Sequence, residues 1–196
     1  MGKPDIPTAS RPAAKAVGRC YGAIFFLAFG GVWFLLSDYA WGHLKRSGAL
    51  AIAGMVCSLI AVVLRVQARG KVAAQGAYSE EEERRNYRHF GIVNSVTWIS
   101  VFLAFQIMPR LGHKELSIPV AEMIVGLHFF FMPPLYRHTA NQVLGGFLVA
   151  WGIACPLLWQ GNPMVGYLAF GAGAALWLSA AWAVKTARDL LNSVSL

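Results

Sequence analysis

The stretch PMVGYLAFGAGAALWLSAAWAV, residues 163–184, contains no charged side chain. A helix rises about 1.5 Å per residue, so about twenty apolar residues suffice to cross the hydrocarbon core of a bilayer. The whole chain shares this character, because 57% of its 196 residues are hydrophobic and only 13% are charged. A soluble domain carries about 25% charged residues. The sequence therefore predicts an integral membrane protein that forms one compact helical bundle.

Five other apolar stretches have a similar length and complete the bundle. The six predicted spans are residues 17–37, 48–66, 89–107, 117–136, 141–159 and 163–184. The predicted fold class is an all-α integral membrane bundle of six transmembrane helices, with residues 17–185 as its single domain.

Three segments lie outside the predicted spans. Residues 1–16 form a basic N-terminal arm with three prolines, which we expect to be disordered, and residues 186–196 form a C-terminal tail. Residues 67–88 are predicted to be a cytoplasmic loop that includes a helical extension of the third span. Ser79 and Glu82 have the spacing of a capping box, so this extension is predicted to begin near residue 80.

The basic residues predict the orientation of the bundle. Thirteen Lys and Arg residues fall on the side of the N-terminus and four on the opposite side. Such an excess is typical of the cytoplasmic side, so both termini are expected to be cytoplasmic. The net charge of +8 lies in segments next to apolar stretches, which indicates a contact with anionic lipid headgroups rather than nucleic-acid binding.

The fourth predicted span contains two ionisable side chains, Glu122 and His128. An ionised side chain at the bilayer centre costs about 2.5–3.5 kcal/mol even on a lenient scale. Glu122 is therefore expected to face the interior of the bundle, where burial favours its neutral form. Two interpretations remain open for each residue. It is a working proton or cation site, or it is a hydrogen-bonded strut between helices.

The third predicted span carries polar side chains along one face. Asn94 and Thr97 lie at the depth expected for His128, and Gln106 lies at the depth expected for Glu122. We expect the third and fourth helices to pack together and bury this polar seam, with a hydrogen bond between His128 and Asn94. Glu122, His128, Asn94 and Thr97 are the candidate transport site.

Pro133 and Pro134 interrupt the fourth span. Proline lacks the backbone N–H that a helix needs and clashes with the preceding turn, so the helix ends near Met132 or breaks there. Both a simple end at the membrane interface and a broken helix that lines a substrate site remain open.

Motifs of nucleotide-binding proteins, zinc proteases and serine hydrolases are missing from the sequence. Cys20, Cys57 and Cys155 form no CxxC pair, so free buried thiols are expected. The sequence predicts no catalytic residue, no metal site and no cofactor, and it disfavours an enzyme.

The stretches HFGIVNSVTWISVF, residues 89–102, and IPVAEMIVGLHFFFMPPLYR, residues 118–137, resemble an uncharacterised family of small bacterial multi-pass inner-membrane proteins. The shared elements are Asn94 and the VGLHF segment around His128. The resemblance implies a multi-pass protein of the cell inner membrane, and it implies no activity.

The leading functional hypothesis is a small transporter or channel that moves a proton, an ion or a small polar solute through the seam between helices three and four. The alternative is a non-catalytic accessory or scaffold subunit of a membrane complex, and a membrane enzyme is third. The expected partners are anionic lipid headgroups at the cytoplasmic face, together with a second copy or a membrane partner subunit. A cavity that reaches Glu122 or His128 would favour transport, whereas a fully packed seam would favour the scaffold.

Overall fold

The computed structural model describes residues 10–74, 80–132 and 139–193, and within these ranges every regular element is helical. The six α-helices are α1 (Ser10–Trp41), α2 (Leu44–Ala74), α3 (Glu80–Arg110), α4 (Ser117–His128), α5 (Thr139–Leu158) and α6 (Gly161–Ser193). Two single-turn 3-10 helices, Lys114–Leu116 and Phe129–Phe131, flank α4. The predicted all-α class is confirmed.

In the described part of the chain, four helical segments are long and apolar enough to cross a membrane, which indicates a membrane protein. They are Lys15–Trp41, Arg84–Arg110, Thr139–Leu158 and Gly161–Ser193. These segments include most of the first, third, fifth and sixth predicted spans. The second predicted span, residues 48–66, lies within the 31 residues of α2.

The fourth predicted span, residues 117–136, is helical only as far as His128, and the 3-10 turn that follows ends at Phe131, close to the end near Met132 that the two prolines predicted. The 12 residues of α4 rise about 18 Å, whereas the hydrocarbon core is about 30 Å thick. After the 3-10 turn, Met132 is extended, with a ψ of 141°. A proline ring disfavours the helical conformation of the preceding residue, so Pro133 accounts for this end. Residues 133–138 lie outside the described ranges.

The N-terminal arm and the C-terminal tail are partly helical. The first helix begins at Ser10, inside the predicted arm of residues 1–16, and the other arm residues, 1–9, lie outside the described ranges. The last helix continues to Ser193, through most of the predicted tail.

The connection predicted over residues 67–88 is also largely helical. The second helix continues to Ala74, and the third begins at Glu80. The capping residue Ser79 lies outside the described ranges, as do residues 75–78.

The first and last helices form the most extensive interface among the described residues. Small residues allow their backbones to approach closely, as is common between membrane helices. A Cβ atom added to Gly173 would lie 3.1 Å from the carbonyl oxygen of Gly30. Close by, the indole Nε1 of Trp177 donates a hydrogen bond of 3.2 Å to the carbonyl oxygen of Leu27. The second helix also packs against α1.

The short helix α4 packs between α3 and α5 and has more extensive contacts with α5. The predicted packing of the third helix against the fourth is therefore present. Between α1 and α3, by contrast, the described residues form no extensive backbone contact. The space between α1 and α3 contains the candidate site.

Candidate functional site

A cavity of about 550 Å³ lies between α1 on one side and α3 and α4 on the other. We call it the crevice. Residues 15–36 of α1, 90–105 of α3 and 118–132 of the α4 region contribute most of its lining, with a few residues from α5 and α6. The α1 residues that line it extend over about 32 Å of helix at about 1.5 Å per residue, which is close to the thickness of a bilayer core.

Aromatic side chains separate the backbones of α1 and α3 and form the walls of the crevice. The ring of Phe90 lies 6.1 Å from the ring of Tyr21 and 6.4 Å from the ring of Phe25, between centroids. Further along the same helices, the rings of Phe29 and Trp98 are 5.5 Å apart. Because bulky rings meet here, α1 and α3 cannot approach each other as closely as α1 and α6 do.

Three of the four predicted site residues line the crevice, namely Asn94, Thr97 and His128. The Thr97 hydroxyl donates a hydrogen bond of 2.8 Å to the carbonyl oxygen of Val93, within its own helix. The Nδ1 of His128 likewise bonds the carbonyl oxygen of Val125. A carbonyl oxygen only accepts, so Nδ1 carries the proton, and the Nε2 of the neutral ring is an acceptor.

The expected hydrogen bond between His128 and Asn94 is replaced by these contacts within single helices. The side-chain amide of Asn94 is half-buried, and the structure gives it no hydrogen-bond partner among the described residues. The polar groups of the third and fourth helices therefore face a shared space instead of forming a closed seam.

Glu122, the fourth predicted site residue, is not among the residues that line the crevice. Its side chain is fully buried, and neither carboxyl oxygen has a hydrogen-bond partner in the described part of the chain. Cys155 of α5 lies within electrostatic range of it, whereas the expected partner Gln106 is exposed. An ionised carboxylate without compensation is very costly to bury, so this environment favours the neutral acid.

The two ends of the crevice differ in charge. Lys15 and Arg19 line it near the start of α1, and the Nη1 of Arg19 donates a hydrogen bond of 3.2 Å to the carbonyl oxygen of Thr186. At the opposite end the lining includes the apolar side chains of Leu36 and Phe105. The crevice is therefore amphipathic along its length.

The aromatic wall did not enter the functional interpretation of the sequence, although the sequence contains a signal for it. Tyr21, Phe25, Phe29 and Trp33 recur every four residues, and residues four apart lie on the same face of a helix. All four line the crevice. In a chain this rich in apolar residues, such a stripe is also typical of simple packing, so the pattern alone does not predict a cavity.

Within the described ranges, no group of three or more His, Cys, Asp or Glu residues is arranged to hold a metal ion. Cys20 and Cys155 are buried free thiols, and Cys57 is an exposed one. The chemistry available in the crevice is therefore that of amide, hydroxyl, imidazole and cationic groups against aromatic walls.

Comparison of the chain with models of protein families, with curated proteins and with solved structures gave no match. The resemblance to small bacterial membrane proteins stays a prediction, and the function has to be inferred from the crevice itself.

Proposed function

We propose that the protein is a small membrane transporter whose solute moves along the crevice between α1 and the α3–α4 pair. The observation that carries this proposal is the length of the crevice. Its lining on α1 extends over about 32 Å, close to the hydrocarbon thickness of a bilayer, and Asn94, Thr97 and His128 lie along it.

The proposal includes a topology of six membrane segments in a bacterial inner membrane, with both termini in the cytoplasm. The excess of basic residues on the side of the N-terminus supports this orientation. The fourth segment is then a broken one, in which the 12 residues of α4 pass into the 3-10 turn Phe129–Phe131 and the extended Met132. Broken membrane helices line substrate sites in several transporter folds.

The properties of the crevice narrow the class of solute. The polar seam between helices three and four suggested a proton, an ion or a small polar solute. However, the crevice is walled by aromatic rings, and Glu122 lies outside it. A bare cation would lose its hydration with no carboxylate among the described lining residues to replace it. A molecule with both an apolar surface and a polar group is a better fit.

Cysteine accessibility tests whether a solute can reach the middle of the crevice. Asn94→Cys and Ser95→Cys, in a background without the three native cysteines, are matched variants at neighbouring positions of α3. Asn94 lines the crevice, whereas Ser95 is exposed and does not line it, so lipid is expected to surround Ser95. A charged methanethiosulfonate added from either side of the membrane should modify only the cysteine at position 94, because thiolate formation needs a polar surrounding.

If the cysteine at position 94 reacts with reagent added from neither side of the membrane, that result would contradict a pathway through the crevice. Equal reaction at positions 94 and 95 would also contradict it, because reagent access would then not depend on the crevice.

The alternative function is an accessory or scaffold subunit, and one observation favours it. Much of α3 is exposed, including the large apolar side chains of Ile92, Val96, Ile99 and Phe102. A second copy or a membrane partner subunit would cover this face in a complex, as lipid does in a monomer. Cross-linking through Ile99→Cys in native membranes distinguishes a complex from a monomer. A scaffold subunit predicts one discrete cross-linked species, and a monomer surrounded by lipid predicts none. A membrane enzyme remains a third hypothesis.

A further inference from the structure

We infer that the crevice binds an anionic phospholipid, with the headgroup at Lys15 and Arg19 and one acyl chain along the aromatic wall. This inference rests on the proposed function for the role of the crevice, and it deepens that function by naming the chemical class of the solute. Three features of the crevice support this inference. They are the cations at its start that have no carboxylate partner among the described residues, the depth of its polar side chains, and the length of its apolar part.

The cations at the start of the crevice have no carboxylate partner among the described residues. Lys15 is exposed and Arg19 is half-buried, and the ion pair that the structure describes, between His113 and Glu115, lies at the far end of α3. Asp189 lies on α6 three residues after Thr186, the partner of Arg19, where it is exposed and forms no ion pair with a described residue. An anionic headgroup would supply the missing charge, since Lys and Arg both bind phosphate oxygens.

Arg65 of α2 adds a third cation at this end. Its guanidinium carbon lies 4.8 Å from the ring centroid of Tyr21, and Tyr21 itself lines the crevice. The Nε of Arg65 is buried, and no described residue accepts a hydrogen bond from it. Lys15 and Arg19 of α1 and Arg65 of α2 therefore bring three cations to this end of the crevice.

The polar side chains in the crevice lie at the depth where the ester groups of a phospholipid follow its phosphate. Phe90 contacts Tyr21 and Phe25, and Trp98 contacts Phe29. Asn94 lies between Phe90 and Trp98 on α3, so its level along α1 is about six residues beyond Arg19. At about 1.5 Å per residue, this is about 9 Å further along α1 than Arg19. Its amide is free to donate a hydrogen bond to an ester carbonyl oxygen.

Beyond Asn94 the crevice offers an apolar path for one acyl chain. From the level of Asn94, about residue 25 of α1, to Leu36 the lining extends over about 17 Å, close to the roughly 15 Å of hydrocarbon in one lipid leaflet. The cavity volume of about 550 Å³ lies within the range of sites that hold a single small ligand, about 300–1,000 Å³. The crevice thus has room for a chain and a polar linkage.

Native mass spectrometry of the detergent-purified full chain tests this inference directly. Phosphatidylglycerol and phosphatidylcholine with identical acyl chains are the two probes. We expect at least about tenfold tighter binding of phosphatidylglycerol. Its net charge is negative, whereas the quaternary ammonium of phosphatidylcholine neutralises its phosphate and would be repelled by the two cations. The double variant Lys15→Gln, Arg19→Gln should lose this preference. The control Lys185→Gln, Arg188→Gln removes two exposed charges of α6 that do not line the crevice, and it should keep the preference.

A pair of glycine substitutions tests whether the acyl chain enters the crevice. Gly22 lines the crevice and Gly31 does not, and a Cβ added at either glycine meets nothing within 4 Å. Both Gly22→Leu and Gly31→Leu should therefore fold, which thermal unfolding can verify. Only Gly22→Leu should weaken phosphatidylglycerol binding, by about tenfold or more, because its side chain fills the crevice between Arg19 and the level of Asn94, which a lipid held at Arg19 must pass to extend its acyl chain along the aromatic wall.

Each failure has a distinct meaning. Equal binding of the two lipids would overturn the headgroup assignment, and equal behaviour of the two glycine variants would overturn the chain assignment. Displacement of the lipid by glycerol 3-phosphate, which has no acyl chain, would reduce the site to a simple phosphate site and also overturn the inference. If the protein binds phosphatidylglycerol selectively but the cysteine at position 94 is not labelled, the lipid site is supported and the proposed transport function is contradicted. If the cysteine at position 94 is labelled but the protein shows no preference for phosphatidylglycerol, transport is supported and the lipid site is contradicted.

Discussion

The backbones of Gly126 and Gly145 are so close that a Cβ atom on Gly126 would lie 2.8 Å from the carbonyl oxygen of Gly145. This contact fixes α4 against α5 and leaves no space for a side chain at the crossing. His128 lies two residues after Gly126 and lines the crevice, so its position depends on the same contact.

Gly126→Ala should therefore destabilise the protein. The added methyl group must separate α4 from α5, and inserting such a group into a well-packed interface costs about 1–3 kcal/mol. Gly146→Ala is the matched control on α5, because a Cβ there meets nothing within 4 Å. Thermal unfolding in detergent should show a lower midpoint for Gly126→Ala only. Equal midpoints would mean that α4 and α5 are further apart than described.

Glu122→Leu should stabilise the folded protein. Both carboxyl oxygens of Glu122 are buried without a hydrogen-bond partner among the described residues, and an unsatisfied buried polar group costs about 1–3 kcal/mol. Leucine removes that cost, whereas Glu122→Gln keeps it and should change stability little. Guided by the sequence alone, one would expect Glu122→Leu to loosen α3 from α4. A lower unfolding midpoint for Glu122→Leu would show that the carboxyl group has a partner.

His128→Phe and Asn94→Leu should act independently on stability. His128 bonds the carbonyl oxygen of Val125 in its own helix, so neither substitution removes a hydrogen bond that the other shares. A double-mutant cycle from unfolding in detergent should give a coupling energy near zero. A direct bond between membrane helices averages about 0.6 kcal/mol, so a coupling of that size would indicate that the two side chains meet.

The proposed topology predicts that Asn162 and Asn192 lie on opposite sides of the membrane, at the two ends of α6. In the background without native cysteines, an impermeant maleimide added outside intact cells should label Asn162→Cys but not Asn192→Cys. Position 162 is preferable to Gly161, whose φ of 65° disfavours a side chain. Labelling of position 192 alone would reverse the orientation.

The helices were predictable because hydropathy and length are local properties of the chain. The same holds for the end of α4, since Pro133 restricts the residue before it whatever the neighbours are. The arrangement of the site was less accessible. The depth of Asn94, Thr97 and His128 in the membrane follows from their positions in the sequence. The cavity that they share depends on the distance between α1 and α3, and no local sequence pattern predicts that distance.

The orientation of Glu122 illustrates the same limit. Its polar character suggested a polar partner on α3, yet both of its carboxyl oxygens are buried without a hydrogen-bond partner among the described residues, in a helix that packs closely against α5 at Gly126 and Gly145. Small residues form this contact between α4 and α5. Such residues also occur at many other positions of α5 and α6, so the sequence did not single out Gly126 and Gly145 as the contact pair.

The pairing of α1 with α6 has a consequence for the order in which the protein matures. The hydrogen bonds from Arg19 to Thr186 and from Trp177 to Leu27 join residues 167 and 150 positions apart. During synthesis the N-terminal part of a chain emerges first, so α1 enters the membrane long before its main partner exists. The small-residue face around Gly30 must remain in contact with lipid or an insertion factor until the ribosome has finished α6. Every incomplete chain therefore exposes that face, and a quality-control protease that recognises it would distinguish unfinished protein from finished protein.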